Sequence, residues 1–295
     1  MDRIAAGLMA AKPCYGLGQE GASTGRFRIA EKSADGERIS ILTGAEAVFQ
    51  VDGTMALTDP RLVTVTADGK TNLVFSASDC LYDQDKKTIR SPGTLTLATG
   101  DGQMQLKGVG FSGNLAGPTL SVLSHVEAKL DKQFSRRPLG QAQTKKEPSA
   151  ASEPLRITSD QFDLEPGWAV FRGTVLVKDV DGRLGSDSIA VRMREDAGEV
   201  KPLRAVGRVV LQGEQIITTS EQADYDLVAG LIVLKGNPSW TMGERSGRAD
   251  LLMIHRESQS VNAEGEVTMK LPADSVAEGG AQHRQMLAGL LEGLR

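Results

Sequence analysis

The chain has 295 residues, 34 Lys and Arg against 38 Asp and Glu, a formal net charge of −4, and 4% aromatic residues beside 33 glycines. Charges of both signs are interspersed, so the basic footprint of a nucleic-acid binder is missing. With so few rings, the core falls to Val, Leu, Ile, Ala and Met in thin layers, which suits a flattened all-β sandwich better than a deep globule.

Residues 1–24 read as a leader or disordered start. Their short run from Ile4 to Ala11 fits either the remnant of a secretion signal or a start ahead of the true initiator. No window of the chain reaches the roughly 18 apolar residues of a membrane-spanning helix. A first block, 25–135, carries strand signals such as RISILTG, RLVTVTADG, LVFSASDCLY, TLTLATG and TLSVLSHVEAKL. Asp52-Gly53, Asp68-Gly69 and Asp101-Gly102 mark its hairpin turns. Residues 136–154, RRPLGQAQTKKEPSAASEP, have no periodicity and read as a flexible linker. A second block, 155–271, is more regular, and the tail 272–295 ends in HRQMLAGLLEGLR. There Met286, Leu287, Leu290, Leu291 and Leu294 share one face of a short amphipathic helix, expected to cap an open end of the second block.

Five apolar-alternating segments each run through a glycine: Gly93, Gly173, Gly207, Gly236 and Gly265. The last four are spaced 34, 29 and 29 residues apart, the interval of a repeated and stacked unit. Residues two and four from each glycine are nearly all apolar and the intervening ones mostly polar, the pattern of strands with one buried and one wet face. The glycine falls on the inward register and predicts a fold line between two facing sheets. Tyr82-Asp83, Phe162-Asp163 and Tyr225-Asp226 place an Asp ten residues before a central glycine, which suggests turn chemistry at a strand end.

Chemistry-bearing constellations are scarce. Cys14 and Cys80 read as two free thiols, and His125, His255 and His283 stand apart from any ligand cluster, so no metal and no cofactor is expected. Nucleophile elbows, phosphate-binding loops and paired inward carboxylates are missing, so the chain does not read as an enzyme.

The second block resembles the OstA-like domain of LptA, the periplasmic bridge protein of lipopolysaccharide transport. The carriers are Ile157-Thr158-Ser159-Asp160, the segment Phe171 to Val175, Ala223-Asp224-Tyr225-Asp226 before Leu234 and Gly236, and Val261, Ala263 and Gly265. More loosely, FSASDCLYDQDKKTIRSPGTLTLATGDGQMQLKGVGFSG and TLSVLSHVEAKL in the first block resemble LptC, the inner-membrane-anchored partner, although the apolar run of its anchor helix is missing. The resemblance implies two tandem open, twisted β-jellyrolls, folded like a taco, whose apolar groove shields the acyl chains of lipopolysaccharide or a related glycolipid in the periplasm. It further implies end-to-end pairing with other jellyrolls of the pathway through edge strands, between an inner-membrane ABC transporter and an outer-membrane translocon.

Two facing sheets of aliphatic side chains form a linear trough on physical grounds too, in which each buried methylene contributes roughly 0.8 kcal/mol without fixing direction. The expected lining residues are Val175, Val177, Val209, Leu211, Trp240, Val267 and Met269 in the second block and Leu95 and Leu97 in the first. The rival expectation is a structural or adhesive β scaffold that assembles through its edges and carries no lipid.

Overall fold

The computed structural model describes residues 23–130 and 154–272, apart from 34, 35, 37, 118, 180, 181, 193–202, 227, 228, 256, 257 and 259. All regular structure among the described residues is strand. The first block holds β1 (Ser23–Thr24), β2 (Phe27–Lys32), β3 (Arg38–Gly44), β4 (Glu46–Phe49), β5 (Thr54–Thr58) and β6 (Arg61–Thr66). It continues with β7 (Thr71–Ala77), β8 (Asp79–Asp83), β9 (Thr88–Thr99), β10 (Met104–Asn114) and β11 (Thr119–Leu130). The second block holds β12 (Leu155–Ser159), β13 (Gln161–Glu165), β14 (Trp168–Asp179), β15 (Gly182–Arg192), β16 (Leu203–Gly213) and β17 (Ile217–Asp226). It ends with β18 (Leu231–Lys235), β19 (Ser239–Met242), β20 (Arg245–Arg248), β21 (Leu251–His255), β22 (Ser260–Glu264) and β23 (Thr268–Lys270).

The pairing is antiparallel throughout and divides along a crease. One half-sheet runs β2, β3, β6, β7, the second half of β9, the first half of β10 and the second half of β11. It continues through β12, the second half of β14, the first half of β15, the second half of β16, the first half of β17, β19, β20 and β23. The other half-sheet starts β1, β4, β5, β8 and uses the opposite halves of the same long strands, with β13, β18, β21 and β22 in place of β12, β19, β20 and β23. Long strands slip register as they cross the crease, for example between Arg172 and Val175 and between Val206 and Val209. Elsewhere the chain breaks into two short strands there. The inner faces of both half-sheets contribute to one buried, mainly aliphatic cluster that runs from Leu42 in the first block to Ile254 in the second.

Both half-sheets pass without interruption from the first block to the second. Strand β11 pairs with β12 from Val126 opposite Ser159 to Leu130 opposite Leu155, and with β13 from Leu120 opposite Leu164 to Val122 opposite Phe162. Phe162 and Phe171 lie fully buried at this junction with ring centroids 5.1 Å apart. The segment read as a linker lies outside the described residues except Pro154, and so does the expected C-terminal helix. At the other end, Ser23 and Thr24, read as the last residues of a leader, form β1 and pair with Val48 and Ala47. A fixed backbone partner, rather than a polarity pattern, places them in the sheet.

The three expected hairpin turns share one geometry. Gly53, Gly69 and Gly102 have φ of +81°, +80° and +72°, and each N–H donates to the carbonyl three residues earlier. Cys80 is buried in β8, and that burial, followed by the neighbouring Asp79 charge, pushes its thiol up to about 12.

Candidate functional site

The crease is built by a recurring pair. A Ser-acid or Ala-acid dipeptide on one strand faces a glycine on the next: Asp79 faces Gly93, Asp160 Gly173, Asp187 Gly207, Glu221 Gly236 and Asp250 Gly265. The inward serines turn the chain, since Ser159, Ser186 and Ser220 are buried and each Oγ donates to the carbonyl two residues on. The acids secure the opposite strand. Asp160 accepts from the Thr174 N–H and Asp250 from the Glu266 N–H, each at 2.9 Å, while Asp187 accepts from Arg208 Nε at 2.8 Å. Asp79 acts one step removed, because it accepts from Ser91 Oγ, which in turn accepts from the Gly93 N–H.

Contrary to the inward register expected, the glycines themselves do not face the core. Gly173 and Gly265 are exposed and the other three half-buried, and the space where a Cβ would stand is taken by the acid of the neighbouring strand. Four of them adopt φ between +74° and +89°, a conformation closed to most side chains, whereas Gly93 is not among the left-handed residues. Gly236→Val would place a branched side chain at φ +74° with its Cβ 2.6 Å from that of Glu221. We expect it to lower unfolding stability by about 2 kcal/mol or more, measured by urea denaturation.

Of the three Tyr-Asp or Phe-Asp pairs, two do serve turns. Asp83 accepts from the Lys86 N–H and Asp226 from the Ala229 N–H, each at 3.0 Å. Asp163 instead ties three strands together, accepting from Ser121 Oγ at 2.8 Å and Arg172 Nε at 3.0 Å.

Between the half-sheets of the second block, towards the lip away from the crease, lies a cavity of about 800 Å³. Val177, Leu184, Leu211 and Ile216 line it from one side and Leu203, Tyr225, Ile232, Ile254 and Val261 from the other. Lys178, Asp179, Arg183, Glu214 and His255 stand at its rim. That volume lies within the roughly 300–1,000 Å³ of small-molecule sites. A second space, between Leu62, Phe75, Ile89 and Leu120 of the first block and Leu164 of the second, is about 40 Å³.

The difference follows from side-chain size. Phe75 and Phe111 meet edge to face at 4.9 Å in the first block, and Tyr82, Leu95, Leu97, Met104 and Leu106 are all fully buried. Past Phe171 the inner face carries mainly Ile, Val, Leu and Ala, each filling less of the gap than an aromatic ring.

Against this geometry the expected lining residues separate into groups. Val177 and Leu211 line the cavity, while Val175 and Val209, nearer the crease, and Trp240, level with Leu211, are buried outside its lining. Leu95 and Leu97 are packed inside the filled block. Val267 and Met269 stand at the last rung, 45% and 55% exposed, where no further strand covers them among the described residues. Sequence reasoning missed Leu184, Leu203, Tyr225, Ile232 and Ile254 as lining residues; Tyr225 alternates with Asp224 and Asp226, whereas Ile232 stands between Leu231 and Val233 and Ile254 follows Met253. Among the described residues no three His, Cys, Asp or Glu side chains gather as a metal centre.

Among the described residues the outer face carries one buried carboxylate. Asp224 accepts from Arg204 Nε at 2.7 Å, Gln222 Nε2 at 3.1 Å and Lys235 Nζ at 3.2 Å. Burial alone would raise its pKa, but the hydrogen bonds from Arg204 and Lys235 outweigh it, so the carboxyl lies below the usual 3.8. The unfolded chain therefore takes up this proton first as pH falls. The stabilisation is complete above about pH 4 and drains away as pH drops through the lower folded value. In urea melts from pH 7 down to pH 2, Asp224→Asn is expected to be less stable than wild type at pH 7 and to lose less on acidification.

Residues 156–260 match the family model LptD_N, described as LptA/(LptD N-terminal domain) LPS transport protein. Among solved structures, the chain is similar to LptH of Pseudomonas aeruginosa, described as the LptA homologous periplasmic component of the conserved lipopolysaccharide transport device. The likeness has 16% identity and a TM-score of 0.37, and covers 40% of this chain and 95% of that one. No curated protein sequence matches the chain. The second block is an LptA/OstA-like module, as its residues suggested.

Proposed function

We propose that the chain, with its LptA/OstA-like module, is a periplasmic carrier that shields the acyl chains of lipopolysaccharide or a related glycolipid in the second block's groove. The observation that carries this reading is the cavity of about 800 Å³ between aliphatic faces, inside the span that matches the family model. Binding there is nondirectional, and each methylene removed from water contributes roughly 0.8 kcal/mol, so a chain can slide between rungs without exchanging a fixed set of hydrogen bonds. The first block, which resembles LptC, supplies a filled and stable base that shares both half-sheets with the carrier.

Strands β1 and β2 at one end and β22 and β23 at the other have a partner on one side only among the described residues. These open edges support end-to-end pairing with other jellyroll modules, and through them with transporter and translocon components of the two membranes.

Incubation of the purified full chain with lipopolysaccharide, followed by gel filtration and quantification of lipid in the protein peak, tests the carrier reading. Co-elution is expected. A lipid-free peak in which the chain nevertheless self-associates would favour the edge-paired scaffold.

A further inference from the structure

Four cations stand side by side on neighbouring strands along the lip of one half-sheet. The register sets Lys129 of β11 opposite Arg156 of β12, Arg156 opposite Lys178 of β14, and Lys178 opposite Arg183 of β15. All four are exposed and alternate with the buried inward residues Ala128, Ile157, Val177 and Leu184, so they share the outer face. Lys107 of β10, set opposite Glu127, adds a fifth positive charge in the adjoining row. The acids nearby are Glu127, 3.1 Å from Arg156, Asp179, which accepts the Gly182 N–H of its own turn at 3.0 Å, and Glu214 at the same rim.

Like charges directly opposite one another destabilise an antiparallel pair. Three such contacts in succession, in a chain whose net charge is −4, do not serve the stability of the sheet. Their position supplies another reason. Lys178 and Arg183 also border the mouth of the cavity of about 800 Å³, so an amphiphile with its chains between the sheets presents its headgroup at this lip.

We propose that the stripe Lys129, Arg156, Lys178 and Arg183 is a headgroup site that holds phosphate groups of the glycolipid whose acyl chains occupy the groove. This rests on the carrier reading above. Arginine offers paired N–H donors to phosphate oxygens and lysine a compact charge, and the two residue types together suit several phosphate positions along a track. One of the four belongs to the first block and three to the second, so the track spans the junction.

The test compares binding of lipid A that carries its phosphates with the same lipid A stripped of them, using the full chain and the variant Lys178→Glu/Arg183→Glu. The variant is expected to bind phosphorylated lipid A about tenfold more weakly or worse, and the stripped form unchanged. Its melting temperature is expected to hold, because the reversal makes the contact with Arg156 attractive while positions 178 and 183 still face each other with like charge. If it melts early, Lys129→Gln/Arg156→Gln is read in its place, with the same expectation.

Equal loss on both lipids, or loss on neither, overturns the headgroup site while leaving the groove intact. Inorganic phosphate binding as tightly as the phosphorylated lipid would make the stripe a free-anion site and overturn the proposal. So would binding to phosphatidylglycerol vesicles that depends on the stripe and persists when Val177→Trp fills the groove. Wild-type protein that binds neither form of lipid A overturns the carrier reading and the headgroup site together.

Discussion

The double variant Leu211→Trp/Val261→Trp is expected to abolish glycolipid binding while the protein still folds. Both residues line the cavity, one from each half-sheet, and both are only partly buried. An indole at either position grows into free space and not into packed neighbours, so the overpacking penalty of about 1–3 kcal/mol that a filled core imposes is largely avoided. Leu97→Trp is the matched control. Leu97 is 1% exposed in the filled block, so the same added bulk is expected to lower stability by about that amount and to leave lipid binding intact. Lipid co-elution and thermal melts on the same samples separate the two effects. Full binding by the double variant would mean that the acyl chains lie elsewhere.

Phe162→Ala is expected to lower unfolding stability by about 4 kcal/mol, because a fully buried phenyl ring leaves a cavity that rigid sheets on both sides cannot close. The residue sits at the meeting point of the blocks, opposite Val122 of β11 and Phe171 of β14. Its loss also removes the ring contact at 5.1 Å. Since both half-sheets run through this point, wild-type protein is expected to unfold in one transition. Hydrogen exchange on Phe162→Ala is expected to show opening that spreads from β12 and β13 into both neighbours. A loss below about 1 kcal/mol would show that the blocks are stabilised independently of the junction.

Much of this architecture was legible in the sequence because a sheet writes its two faces into alternate residues. Val175, Val177 and Val209 are buried where period-2 reading put them, and the Asp-Gly turns close as expected because left-handed φ selects glycine so strongly. The crease was legible only in half. Its glycines announced a bend, yet the partner of each bend, the acid of Ser159-Asp160, Ser186-Asp187 or Ser220-Glu221, lies on another strand 13 to 20 residues earlier. That separation depends on hairpin lengths, which vary from rung to rung, so no fixed spacing exposes it.

The contrast between a filled first block and an open second block was less legible still. Cavity volume depends on how the side chains of two facing sheets add up, and alternation in one strand does not reveal what stands across from it. The scarcity of aromatic residues was visible, but their concentration at Phe75, Tyr82, Phe111, Phe162 and Phe171 acquires meaning only when β7 to β14 are seen as neighbours. The basic stripe has the same origin. Lys129, Arg156, Lys178 and Arg183 are scattered along the chain and become a track only through strand register.

Site-specific photocrosslinking to lipopolysaccharide tests the central claim most directly, with a photoreactive residue placed in turn at Leu211, Tyr225, Leu97 and Val210. Leu211 and Tyr225 line the groove, Leu97 lies in the filled block, and Val210 faces outward at 42% exposure. Lipid adducts are expected at Leu211 and Tyr225 and none at Leu97 or Val210. Adducts at Val210 with none at Leu211 or Tyr225 would contradict an acyl-chain groove between the sheets.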